Sequence, residues 1–286
     1  MEVQRLRILS VGAHPHDLMH AAGTCGVHTR LGDTVTWVSV TNGAFTHNED
    51  LADELLKPPA QRDPAIVNQT QEQYAAMKEQ ELRTAAALFG VTDVRVLPFL
   101  DRPFRLKNHP EAIDMLRDII LETRPDVLIP GYAHLSRHHR LNTGLPDDHN
   151  EAAYAALEAR TAAQIPRYGT SEQIHKIAAT YYPGLYYEKD QYDFIVDVSD
   201  WFEQIVEAEL MFKSQGHTPA YARRRIEVEL GQVGWFSGTL YGEPFLFERP
   251  ALVSKITVPA SMLRQAREGS KKHISRISGQ LPDKPD

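Results

Sequence analysis

The sequence predicts an α/β fold: Rossmann-like, with an open, mainly parallel sheet and helices on both faces. Three observations carry this. Strand-like and helical runs alternate along the chain, which is the pattern of a parallel sheet with crossover helices. Several strand-like runs are continuously apolar, as strands buried on both faces are. The 286 residues can bury a sizeable core, and no repeat, low-complexity block or domain boundary divides them. One domain over residues 1–268 and a polar tail over 269–286 are expected.

The elements follow in order. Leu6–Gly12 reads as a buried strand, Ala13–Asp17 as its loop and Leu18–Leu31 as a helix. Thr34–Val40 is rich in β-branched residues and reads as a second strand, closed by Thr41-Asn42-Gly43. Thr46–Asn68 is polar, holds Pro58, Pro59 and Pro64, and has room for one short helix; so long a connection suits a lid or binding loop. Gln69–Phe89 is helical with Gly90 as its stop, Val94–Leu97 a strand, Glu111–Glu122 a helix and Asp126–Pro130 a buried strand. A His-rich loop then leads to an alanine-rich helix over Asp148–Gln164. Lys176–Tyr182 and Phe194–Val198 read as strands and Asp200–Ser214 as a helix. Gly/Pro turns and the polar tail, a frayed end or a packing arm, complete the chain.

Composition narrows the function. Apolar residues are 42% and charged residues 24%, the balance of a soluble globular protein. Against 31 basic residues stand 38 acidic ones, a net −7 that argues against nucleic acid as partner. The single cysteine, Cys25, excludes an internal disulfide and a multi-cysteine zinc site, and suits the core better than a nucleophile's role. No run approaches the ~20 apolar residues of a membrane helix, and no signal peptide is evident, so a cytoplasmic protein is expected.

Two short motifs can carry chemistry. Ala13-His14-Pro15-His16-Asp17 places two histidines and an aspartate at the carboxyl end of a strand, where sites form in open α/β sheets. Histidine and aspartate are zinc ligands, although a catalytic zinc needs a third ligand from elsewhere and a polar loop can also bind nothing. Pro146-Asp147-Asp148-His149 opens the alanine-rich helix. Its aspartates suit helix capping, whereas His149 has no such role. Spacing alone leaves open whether the two motifs meet.

Together these motifs carry a resemblance. Ala13-His14-Pro15-His16-Asp17 with Gly23-Thr24 resembles the Ala-His-Pro-Asp-Asp…Gly-Thr signature of the PIG-L/LmbE-like deacetylases, and Pro146-Asp147-Asp148-His149 is similar to their His-Pro-Asp-His motif. Thr41-Asn42-Gly43, Glu81-Leu82 through Gly90, Asp101, Lys213-Ser214-Gln215 and Tyr241–Phe245 are similar to further family segments, from about Arg7 to Phe247. The resemblance implies a zinc-dependent hydrolase that removes an N-acetyl or other N-acyl group from an amino sugar or glycoconjugate, a small-molecule substrate. By position it makes His14, Asp17 and His149 the metal ligands, with another divalent metal as an alternative to zinc.

Two departures mark a divergent member. The family's general-base aspartate is His16 here, and the first histidine of its second motif is Pro146, which cannot ionise. A histidine suits proton transfer near neutral pH, so His16 is expected to replace the base; a fourth metal ligand is the alternative. The lost histidine role could fall to His134, His138 or His139, which otherwise belong to a solvated face. Asp148 is expected to assist catalysis by orienting a histidine or ligand, with capping as its plain role. Lys78 replaces a family arginine and, with Asp101, is expected to meet the substrate. The aromatic pairs Tyr181-Tyr182, Tyr186-Tyr187 and Trp235-Phe236 suit the core better than a sugar-stacking surface. A second reading is a degenerate member that binds metal or sugar without hydrolysis. Oligomeric state stays open, although related folds often self-associate.

Overall fold

The computed structural model describes residues 5–132, 147–171, 173–185 and 187–280. Its strands are β1 (Arg7–Gly12), β2 (Thr34–Thr41), β3 (Asp93–Phe99), β4 (Val127–Ile129), β5 (Ala179–Pro183), β6 (Phe194–Asp197) and β7 (Gly242–Phe247). They form one sheet in the order β3-β2-β1-β4-β5-β7-β6. The first five are parallel, while β7 runs antiparallel to both β5 and β6. The mainly parallel sheet therefore has an antiparallel edge. The chain runs outward from β1 to β3 and then returns to lay β4 beside β1. That reversal opens a crevice at the carboxyl ends of β1 and β4, where ligands sit in such sheets.

Helices cover both faces. Along β1, Ile8 faces one core and Leu9 and Val11 the other, the period of two that a strand imposes. On the Ile8 side lie α1 (Ala22–Arg30), α4 (Gln71–Leu88), α7 (Phe202–Met211) and α8 (Pro219–Ser237), packed around Trp37 and Phe89. On the other lie α5 (Glu111–Thr123) and α6 (Asp148–Ala163). Ala152, Ala155, Ala156 and Ala159 of α6 are buried there, and their small side chains let the helix lie close against α5 and the sheet. Cys25 is buried in the first core, where it accepts from the Trp37 indole at 3.3 Å; burial pushes its thiol up to about 12.

Several segments differ from expectation for local reasons. The helix expected from Leu18 begins as a 3-10 turn over Pro15–Ala21, because the Asp17 carboxylate accepts the His14 backbone N–H at 2.8 Å and Pro15 presets the first turn. The polar 46–68 stretch holds two helices, α2 (Glu49–Leu56) and α3 (Pro64–Val67), capped by Asn48 and Asp63. Helix α8 and strand β7 were not anticipated, although Thr218, Pro219 and the left-handed Gly238 are standard start and stop signals for α8. Near the end lie α9 (Ala260–Arg267) and α10 (Ser270–Ile277), and Arg276 returns to pair with Glu268 at 2.9 Å. The segment read as a polar tail thus includes a packed helix. Of the aromatic pairs, Tyr182 is buried, but Trp235 and Phe236 are 67% and 50% exposed, against the core expected for them. Tyr186 lies outside the described residues.

Candidate metal centre

The crevice between β1 and β4 brings the two motifs together. β1 ends at Gly12, so His14 and Asp17 sit on the 3-10 turn that follows it; His149 lies in the first turn of α6. One ligand atom each from His14, Asp17 and His149 falls within 4.8 Å of the others. Asp17 faces both rings, at 3.3 Å from His14 Nδ1 and 3.3 Å from His149 Nε2. The ring centroids are 4.8 Å apart, edge to face.

The two aspartates of the second motif divide their roles. Asp147 caps α6, accepting the Asn150 N–H at 3.0 Å while Asn150 accepts the Asp147 N–H at 3.2 Å. The second oxygen of Asp147 also faces His149 Nδ1 at 3.6 Å, whereas Asp148 faces both histidines, at 2.9 Å from His14 Nε2 and 3.2 Å from His149 Nδ1. Asp147→Ala is therefore expected to remove about 1 kcal/mol of stability and about 2–4 °C of Tm while leaving metal content unchanged. Thermal unfolding and elemental analysis of the same sample check both halves.

The electrostatics suit a cation. Burial opposes a charged His14, but the Asp17 carboxylate and the hydrogen bond to Asp148 override it and raise the ring to about 9. Burial also opposes a charged His149; Asp17, Asp147 and Asp148 hold it well above the usual histidine range. Asp17 and Asp148 are in turn held low by the two rings, although burial works the other way. Carboxylates buried this closely call for positive charge, whether as protons on the rings or as a divalent ion replacing them. The donor set, two imidazoles and a carboxylate, is that of an open zinc site.

A cavity of about 770 Å³ opens over this group. His16 lines it, but its Nε2 lies 3.1 Å from each oxygen of the buried Glu209, in a group separate from the His14–Asp17–His149 cluster. Lys78 lines the cavity too; burial pulls its ammonium down to about 8, and it donates to the Thr46 carbonyl. Asp101 does not line the cavity. Its buried carboxylate accepts the Phe45 N–H at 3.0 Å and the Thr46 hydroxyl, so it shapes the loop that forms the wall. The 43–46 loop packs tightly: Gly43 has φ +67°, and a Cβ there would meet Pro15 at 2.9 Å. His134, His138, His139 and Pro146 lie outside the described residues.

Sequence reasoning missed His20, His47, Glu209, His217 and Arg225, which reach the cavity or support it. His217 follows Ser214-Gln215 by two residues and was the one available signal.

Residues 9–160, more than half of the chain, match the family described as PIG-L, GlcNAc-PI de-N-acetylase. The chain belongs to this PIG-L family. Curated relatives are probable N-acetyl-alpha-D-glucosaminyl L-malate deacetylases 2. That of Bacillus anthracis is 26% identical over 44% of this chain and 51% of its own length. That of Bacillus cereus is 26% identical over 60% of this chain and 68% of its own length. The chain thus spans about half the length of the first relative. Among solved structures, the 4-carboxy-2-hydroxymuconate hydratase GalB of Pseudomonas putida KT2440 is similar at TM-score 0.68 and 20% identity, over 88% of this chain and all of that one. The N,N′-diacetylchitobiose deacetylase of Pyrococcus horikoshii is similar at TM-score 0.62 and 19% identity, over 90% of this chain and 88% of that one. These likenesses establish the α/β fold. Among the described residues no helix is long and apolar enough to cross a membrane.

Proposed function

We propose that this protein is a divalent-metal hydrolase that removes an N-acyl group, acetyl first among the candidates, from an amino sugar or glycoconjugate. The observation that carries this reading is the meeting of His14 and Asp17 with His149, more than 130 residues away in sequence, at the mouth of one cavity. His14, Asp17 and His149 would hold the ion. Zinc is the first candidate from the donor set; bound there, it supplies Lewis acidity for the amide carbonyl and for water.

The chain's own residues do the rest. Asp148 fixes both ligand rings, so that neither can swing away from the cavity. His16 is the base in this reading. With Nε2 turned to Glu209, Nδ1 is the ring nitrogen left to accept a proton from water, and a carboxylate behind an imidazole holds that tautomer. Phe212 packs edge-on against the His16 ring at 4.9 Å and limits its rotation. Lys78 offers an N–H donor to a substrate oxygen from the cavity wall. The proton that His16 takes from water passes to the leaving amine, since Pro146 has none to give.

Acetate release tests the reading. Zinc-loaded protein is incubated with N-acetylglucosamine, N,N′-diacetylchitobiose and N-acetylglucosaminyl-malate, with and without a chelator. The expected result is acetate from at least one substrate, abolished by the chelator and restored by zinc. His16→Asp separates the working enzyme from the degenerate binder. It lowers the activity if His16 is the base, and it creates activity where there was none if the natural protein only binds. The fold also carries a hydratase, so bound metal with no acetate from any acylated amine would overturn the deacetylase reading.

A further inference from the structure

The same cavity holds a second group of metal-competent side chains, and we propose that it is a second divalent-cation site, formed by His16, Glu209 and His217. It goes beyond the function proposed above, and it shares His16 and Glu209 with that reading but none of the residues His14, Asp17 and His149. His16 comes from the 3-10 turn after β1, Glu209 from α7, and His217 from just beyond the 3-10 turn Lys213–Gln215. One ligand atom from each lies within 4.8 Å of the others. His16 Nε2 is 3.1 Å from Glu209 Oε1, and His217 Nδ1 is 3.0 Å from Glu209 Oε2. Ligand atoms about 2.1 Å from a tetrahedral ion stand roughly 3.4 Å apart, so the two histidine–carboxylate spacings need open by only a few tenths of an ångström.

Burial and access both suit such a site. Glu209 is 2% exposed, and a carboxylate that deep requires cationic or donor partners. Both histidines line the cavity, so an ion can enter from solvent and keep an open position. Arg225 sets the strength. Its Nη1 lies 3.3 Å from Glu209 Oε2, while its Nε turns to Glu229 at 3.1 Å. A guanidinium beside the carboxylate repels an incoming cation, so this site is weaker than the one at His14, Asp17 and His149. In a titration it fills after the first. A metal on His16 Nε2 also leaves the ring's N–H at Nδ1, so where His16 is the base, a filled second site silences it.

Cobalt(II) titration of the chelator-stripped full chain tests this, with visible absorption and elemental analysis after desalting as readouts. Wild type is expected to take up two equivalents, the second more weakly. Glu209→Gln and His217→Ala are each expected to bind one. Arg225→Gln is expected to bind the second equivalent several-fold more tightly. His217 is at the cavity surface, so His217→Ala keeps the test open if Glu209→Gln fails to fold. A single equivalent that His217→Ala retains, or two retained in His217→Ala, would overturn the site. His149→Ala reports on the other group: if it removes no equivalent while His217→Ala removes one, the first site fails and this one stands.

Discussion

Wild type is expected to retain near one tightly held metal ion per chain on purification, and His149→Ala is expected to lose it. Removing one of three ligands leaves a two-ligand site that loses its ion to buffer. The loss is also electrostatic: without the second ring, Asp17 and Asp148 share one histidine. Asp148→Asn is the informative companion. It keeps all three candidate ligands but weakens the hydrogen bond to His14 and removes the carboxylate charge beside His149, so affinity is expected to fall about 10–100-fold rather than vanish. Elemental analysis and competition with a chelating dye measure the two effects, with thermal unfolding as the check on folding. Full zinc occupancy in His149→Ala would remove this residue from the metal centre and leave the two motifs as neighbours only.

The fold class was legible because strand and helix periods alternate in the sequence, and the candidate group His14, Asp17 and His149, which the structure brings together, because the resemblance marked those positions. His14 and Asp17 stand at a strand end, and His149 stands where capping alone gives a histidine no purpose. What a reading by position could not show was the partnership between motifs. Thr41 donates its hydroxyl to the Ala13 carbonyl at 2.7 Å, tying the second strand's turn to the first motif. Glu81 accepts the Ser214 N–H at 3.0 Å and hydroxyl at 2.7 Å. Glu243 accepts from Gly23 and Thr24. Each brace joins segments that are distant in sequence, and a single sequence carries no signal of which buried carboxylate meets which backbone N–H. Asp101 was read as a substrate residue for the same reason: a buried loop-shaping aspartate and a substrate-binding one look alike in sequence. Glu209 and His217 escaped notice because a Glu within a helix pattern ordinarily belongs to its solvated face.

The brace at Glu243 makes the remaining prediction. Glu243 is buried on β7 at the sheet's antiparallel edge, and its two oxygens accept the N–H groups of Gly23 and Thr24 at 2.9 and 2.8 Å. Gly23 is required there, because a Cβ would come within 2.9 Å of the carboxylate. Burial raises the carboxyl from 4.5 to about 7, and the two N–H groups and the Thr24 side chain offset only part of that. Below about pH 4.5 the group is protonated in folded and unfolded chains alike. Between 4.5 and 7 the unfolded chain releases its proton first, so the folded state loses stability as pH rises. Above 7 both are ionised and the loss is complete. A rise of this size corresponds to about 3 kcal/mol. Glu243→Gln stays uncharged throughout, so its unfolding free energy should gain about that amount relative to wild type between pH 4.5 and pH 7.5. Urea unfolding of both proteins at the two pH values measures the change in the gap. A gap that does not move would mean that the carboxylate is already ionised when folded, with the helix α1 N–H groups outweighing its burial.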